Sequence, residues 1–142
     1  MTRRCVQCGT LNRVPAIHLA DRGRCGRCGA NLAPLAEPLD ADARLFEEIV
    51  RDARVPVLVD FWAGWCAPCR QVAPEVARAA ADMAGRAIVL KVDTERHPDL
   101  AARFGVQGIP SFVLLRHGRT VLQQPGLADH RELERWVAQV VE

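Results

Sequence analysis

The sequence predicts an α/β protein: a mixed central sheet flanked by helices, preceded by a small module that cannot hold itself together by burial alone. Three observations predict this. From Asp42 onward, stretches with apolar residues at helical spacing alternate with short continuous apolar runs, and two adjacent strands precede a last helix. Residues 1–30 carry four of the six cysteines and show no sustained helical or strand periodicity. The other two cysteines fall where a buried strand gives way to a helix.

The elements follow in order. Leu45, Phe46, Ile49 and Val50 recur at helical spacing and predict an amphipathic helix over 42–53, stopped by Pro56. The run from Val57 to Trp62 reads as a strand buried on both faces. A second helix extends from Cys66 to about Ala84 and meets Pro74, which removes one backbone donor and should kink it. Ala87 to Val92 is the next buried strand, and Pro98 to Phe104 a short helix closed by Gly105. Ser111–Leu115 and Thr120–Gln123 read as a hairpin around Arg116-His117-Gly118-Arg119. The last helix runs from Asp129, a good N-cap, to Val141, with Leu133, Trp136, Val137 and Val140 on one stripe. Alternation in the first half implies parallel crossovers, and the final pair of strands an antiparallel ladder. The expected organisation is a cysteine-rich module over 1–30, a linker and first strand over 31–40 with Pro34 and Pro38, and the main domain over 41–142.

At 142 residues, 49% apolar and 25% charged, the composition is that of a globular protein and excludes the disordered and fibrous classes. No apolar run approaches the roughly 20 residues that span a bilayer. The first residues carry Arg3 and Arg4 but no apolar stretch behind them, so no secretory signal is read and a cytoplasmic location is expected. The net charge of +2 is uneven: residues 1–30 set six arginines against Asp21 alone, a balance of +5 that leaves −3 for the remainder. Such a module could meet nucleic acid or an acidic protein. Against nucleic acid stand the lack of interleaved aromatics and of an arginine-rich helix. Arginine occurs 18 times and lysine once, which singles out Lys91.

In a chain without an export signal, paired cysteines read as metal ligands or redox couples. Cys66-Ala67-Pro68-Cys69 lies at a strand-to-helix junction. There the first thiol faces the orphan N–H groups and positive end of the helix, which stabilise a thiolate. Pro68 suits the first turn, where its missing donor costs nothing. Cys69, one turn inward, is expected to be the less exposed thiol that resolves a mixed disulfide. On spacing alone the pair could instead be half of a metal site.

The segment from Val57 through Trp62-Ala63-Gly64-Trp65-Cys66-Ala67-Pro68-Cys69-Arg70 resembles the active-site segment of thioredoxins. Pro74, Gly108-Ile109-Pro110 and Gly126 match further family positions in order, and the likeness covers residues 40–142. The resemblance implies the thioredoxin fold and a protein-disulfide reductase in which Cys66 attacks and Cys69 resolves. It implies that Asp60 is a buried carboxylate assisting proton transfer to and from Cys69, with Lys91 as its neighbour. Burial raises such a carboxyl toward neutrality, and a compact ammonium beside it is not interchangeable with a guanidinium. Asp60 as a satisfied core carboxylate and Lys91 as its counter-ion are the plainer alternatives. Further implied are a cis Pro110 facing the sulfurs and offering backbone groups to an extended substrate, Ile109 before it, and Gly126 lining the substrate groove. Trp62 and Trp65 shape an apolar rim, with Trp65 placed for contact. Ala67 departs from the family's usual glycine. A small residue followed by Pro68 points to a reducing couple, roughly −270 mV. The implied partners are disulfide-containing proteins and an NADPH-dependent thioredoxin reductase, and the implied state is a monomer.

Cys5-Val6-Gln7-Cys8 and Cys25-Gly26-Arg27-Cys28 are 16 residues apart, the pattern of a four-thiolate zinc site with glycine after each knuckle. Four protein ligands leave no open position, so the expected role is one structural zinc ion, and His18 reads as a surface residue. Two disulfides or two redox pairs are the alternative. Bacterial zinc-binding thioredoxins, the thioredoxin-2 type, carry such a module, and this sequence resembles them throughout. Two other functional readings stay open here: a sensor whose zinc thiolates are the output, and a binding module built on the basic ribbon.

Overall fold

The computed structural model describes residues 1–140; Val141, the expected end of the last helix, lies outside them. The first 32 residues form two antiparallel hairpins, each wrapped around one CxxC pair. Strand β1 (Thr2–Arg4) pairs with β2 (Leu11–Arg13), and β3 (Gly23–Arg24) with β4 (Asn31–Leu32). These strands of two or three residues are too short to leave a periodic trace in the sequence, which is why no strand was expected there. A single 3₁₀ turn at Ala16–His18 joins the hairpins.

The main domain holds a five-stranded sheet. In chain order come β5 (Leu39–Asp40), α1 (Ala43–Asp52), β6 (Val57–Trp62), α2 (Ala67–Asp82), β7 (Ile88–Asp93), α3 (Pro98–Arg103), β8 (Ser111–Arg116), β9 (Arg119–Pro125) and α4 (His130–Val140). In space the strands run β5-β7-β6-β8-β9. The first two pairings are parallel and the last two antiparallel, so the sheet is mixed as predicted. The central strand β6 is buried from Val57 to Phe61, as its unbroken apolar run requires.

Local signals set the helix ends. Asp42 caps α1 by accepting from Leu45 N at 2.8 Å, and Asp129 accepts from Glu132 N at 2.9 Å at the start of α4. Pro74 lies inside α2 as expected. One core unites Phe46, Ile49 and Val50 of α1 with Leu100 of α3 and one side of the sheet; a second unites Val72, Val76 and Ala79 of α2 with Leu133 and Val137 of α4.

The cysteine-rich module is not a separate bead on this scaffold. Ala16 and Leu19 of the 3₁₀ segment and Leu35 of the connection are buried in the same cluster as Phe46 and Ile49. Leu35 N donates to Leu19 O at 2.9 Å, closing the connection onto the module.

Candidate active site and metal centre

Strand β6 leads into the redox pair at the N-terminus of α2. Cys66 is the N-cap of that helix, and its sulfur accepts the Cys69 N–H at 3.1 Å. Cys66 and Cys69 are joined as a disulfide, with Cα atoms 5.3 Å apart. Ile109 O lies 3.7 Å from Cys66 Sγ, so the loop before β8 closes over the sulfurs. The Ile109–Pro110 bond is cis, as the family resemblance implies.

Exposure does not separate the two cysteines as expected: Cys66 is 2% exposed and Cys69 4%, both buried. Hydrogen bonding, not exposure, distinguishes them, since Cys66 Sγ is the one that receives a helix N–H. Nor does Pro110 offer free backbone groups. Proline has no N–H, and its carbonyl accepts from Gly126 N at 2.9 Å. The backbone oxygen facing the sulfurs is that of Ile109.

Around the buried sulfurs stand exposed Ala67, Pro68 and Gly126 and half-buried Ile109. Trp65 is 68% exposed, and its Nε1 donates to Glu95 Oε1 at 2.6 Å. Sequence reasoning placed Trp65 but missed Glu95, which lies 30 residues away in the turn after β7 and carries no motif. Gly126 has φ of +93°, a left-handed conformation that favours glycine.

Asp60 sits on β6, 1% exposed, and its Oδ1 has no hydrogen-bond partner. Burial pushes its carboxyl up to about 7, with the Lys91 ammonium pulling the other way. Asp60 and Lys91 are register partners on the parallel pair β6–β7. Among the described residues they form no direct salt bridge; the Lys91 ammonium lies 4.6 Å from the centre of the Trp62 ring. Lys91 and Trp62 also line a cavity of about 420 Å³ with Asp40, Asp42, Asp93 and His97.

The four remaining cysteines converge on one point. Cys5 and Cys28 sulfurs are 3.6 Å apart, as are those of Cys8 and Cys25, and all four lie within 4.8 Å of one another. A tetrahedral zinc with Zn–S bonds of roughly 2.3 Å needs sulfurs roughly 3.8 Å apart, so the set fits that ion. The hairpins present equivalent knuckles. Gly9 N donates to Cys5 O and Gly29 N to Cys25 O, both at 2.9 Å, and both glycines adopt positive φ. Titration of the thiols diverges. The N–H groups of Cys28 and Arg27, with Asn12, pull Cys25 down to about 6. Despite the Ala30 N–H, burial and the neighbouring thiols push Cys28 up to about 11. Four thiols so close do not all ionise without a cation between them.

A sulfur pair capping a helix beneath a cis proline, behind a four-cysteine ribbon, is matched on both counts by known families. The thioredoxin family model matches residues 37–139, and a model described as "Thioredoxin 2, N-terminal" matches residues 4–30. The chain belongs to the thioredoxin family. Thioredoxin C-3 of Corynebacterium nephridii is 38% identical over 135 residues, covering 95% of this chain and 92% of its own. Thioredoxin 1 of Chlorobaculum tepidum is 38% identical over 99 residues, covering 70% of this chain and 98% of its own. A solved mutant thioredoxin from Halobacterium salinarum NRC-1 superposes with a TM-score of 0.71 at 32% identity, covering 78% of this chain and 96% of that one. The protein is a thiol–disulfide oxidoreductase of thioredoxin type that acts on disulfide-containing substrates, with a ribbon module able to hold zinc. No helix among the described residues is long and apolar enough to cross a membrane.

Proposed function

We propose that Cys66 is the attacking thiol, Cys69 the resolving thiol and Asp60 the proton acceptor that activates Cys69. The observation that carries this reading is the Cys69 N–H aimed at Cys66 Sγ at 3.1 Å on the N-cap of α2. That donor and the positive end of the helix favour negative charge on Cys66 and lower its pKa in the reduced protein. The Cys66 thiolate attacks one sulfur of a substrate disulfide, forms the mixed disulfide and expels the other substrate sulfur as a thiolate. Asp60 then takes the proton from Cys69, whose thiolate attacks Cys66 Sγ. The new bond is Cys66–Cys69, the broken one joins Cys66 to substrate, and the substrate leaves with both sulfurs reduced. Two electrons have moved from the protein's dithiol to the substrate's disulfide.

The other roles follow from position. Trp65, Ala67, Pro68, Ile109 and Gly126 form the contact rim for an extended substrate, with Pro110 holding Ile109 over the sulfurs and Gly126 beside it. Lys91 holds charge near Asp60 and adjusts its proton affinity. One structural zinc ion is held by Cys5, Cys8, Cys25 and Cys28. The reading extends to a monomer in the cytoplasm that carries electrons from an NADPH-dependent thioredoxin reductase to protein disulfides. The module over 1–30, the connection over 31–40 and the domain over 41–142 are its units.

Insulin-disulfide reduction by the purified full chain, coupled to such a reductase, tests this. The wild type turns over, Cys66→Ser is inactive, and Cys69→Ser accumulates a mixed disulfide through Cys66. Full activity in Cys66→Ser refutes the assignment.

A further inference from the structure

The module carries a second feature that neither the sulfur site nor the zinc ligands use. Arg3, Arg13, Arg22 and Arg24 line a groove of about 370 Å³ between the two hairpins, with Val14 and Leu32 contributing apolar surface. Arg13, Arg22 and Arg24 are exposed, while Arg3 donates to Ala33 O across the connection. The one acidic residue of the groove, Asp21, faces His18 Nδ1 at 2.8 Å and no arginine. Among the described residues, none of the six arginines of the module makes a salt bridge, whereas Arg51, Arg78, Arg96 and Arg103 of the main domain each have a carboxylate. The side-chain balance of +5 on these 30 residues, less the −2 that four thiolates around one zinc ion would carry, therefore leaves the module net positive with no ion-pair partner for its arginines among the described residues.

We propose that this groove is a docking site for an acidic segment of the protein substrates, separate from the rim around Cys66. Charge complementarity carries the choice of partner. Guanidinium forks pair with carboxylates bidentately, and the apolar surface suits an acidic segment that also carries an aliphatic side chain. Nucleic acid is the poorer fit. Residues 1–40 contain no Phe, Tyr or Trp on which a base could stack, and the module has no α-helix to enter a groove. Docking at a second site raises the effective concentration of a tethered disulfide at Cys66 and acts on KM, leaving kcat unchanged. The inference rests on the reductase reading, so its test separates the two.

Two peptides with the same internal disulfide, one tailed with glutamates and one with glutamines, are reduced by the full-length protein. The acidic peptide is expected to show a kcat/KM about tenfold higher, through KM, with the advantage shrinking as salt rises. In the triple variant Arg13→Gln, Arg22→Gln, Arg24→Gln the advantage disappears, while turnover of the neutral peptide is unchanged and reports an intact fold. A direct readout is the anisotropy of a labelled glutamate peptide lacking cysteine, which binds the wild type and not the triple variant. Equal kcat/KM for the two tails, or an advantage that survives in the variant, overturns the docking site and leaves the reductase standing. An oligothymidylate of equal charge that binds more tightly than the acidic peptide reverses the choice of partner. Failure to reduce either peptide refutes the reductase reading, and the anisotropy result then still decides the groove.

Discussion

Replacing Asp60 with asparagine removes a buried carboxylate from β6 with almost no change of shape. In the folded protein Asp60 is 1% exposed with an unpartnered Oδ1, and burial raises its carboxyl from 3.8 to about 7 despite the Lys91 ammonium. Between those two values the native state holds a proton that the unfolded chain has released. Bound protons are then fewer in the unfolded state, so stability falls as pH rises through the window. Below the unfolded value there is no penalty; above about 7 it is complete. The gap between 3.8 and about 7, at about 1.4 kcal/mol per pH unit, amounts to about 4 kcal/mol. Asparagine has no proton to lose there. Urea unfolding of the oxidised protein at a series of pH values, followed by tryptophan fluorescence, measures the difference. Wild type and Asp60→Asn should be similar near pH 4 and separate to about 4 kcal/mol by pH 8, with the variant the more stable. Curves that run parallel at a constant offset would refute the raised carboxyl, and with it the case for Asp60 as a proton acceptor near neutrality.

If Asp60 is the base for Cys69, as proposed, the same substitution should slow release of substrate from Cys66 on the order of a hundredfold; stopped-flow reduction of a disulfide peptide resolves that step from attack. Leu19→Ala should cost the main domain about 2–5 kcal/mol in urea unfolding, since Leu19 is fully buried beside Phe46 and Ile49. An unaffected main-domain transition would mean the ribbon is a separate unit. Removing metal with a chelator should unfold the hairpins around Cys5, Cys8, Cys25 and Cys28 and expose Leu19, lowering the melting temperature by several degrees. Calorimetry with and without chelator measures it, and an unchanged transition counts against a structural zinc.

Legibility in the sequence followed the range of the interactions involved. The elements of the main domain were readable because Val57–Trp62 and Ile88–Asp93 are buried runs and α1 and α4 carry clear apolar stripes. The hairpins of the ribbon were not, because strands of two or three residues cannot show a period. At the site, the residues near Cys66 in sequence or in a family motif were legible. Glu95 holding Trp65 was invisible, since a carboxylate in a turn 30 residues away has no pattern to announce it. The docking of the ribbon through Ala16 and Leu19 was hidden for a related reason: two apolar residues in a basic segment acquire meaning only when α1 is placed against them.

The three CxxC pairs show why spacing alone does not decide the chemistry of cysteine. At Cys66 the chain enters a helix, so the sulfur meets the Cys69 N–H and the two sulfurs of one pair face each other. At Cys5 and Cys25 the chain instead turns back on itself through Gly9 and Gly29, both in left-handed conformation, and returns in a hairpin. The close sulfur contacts there run between pairs, Cys5 to Cys28 and Cys8 to Cys25. A helix after the first cysteine allows an intrapair disulfide and favours a thiolate; a glycine turn after the second makes a knuckle whose sulfurs can converge with a second knuckle on one ion. Extending the helix start at Cys66 into a turn, by a Pro68→Gly-Gly insertion for example, should therefore weaken the redox couple without creating a zinc site, because no second knuckle stands opposite it. Metal content rising by one ion per chain in that variant would contradict this account.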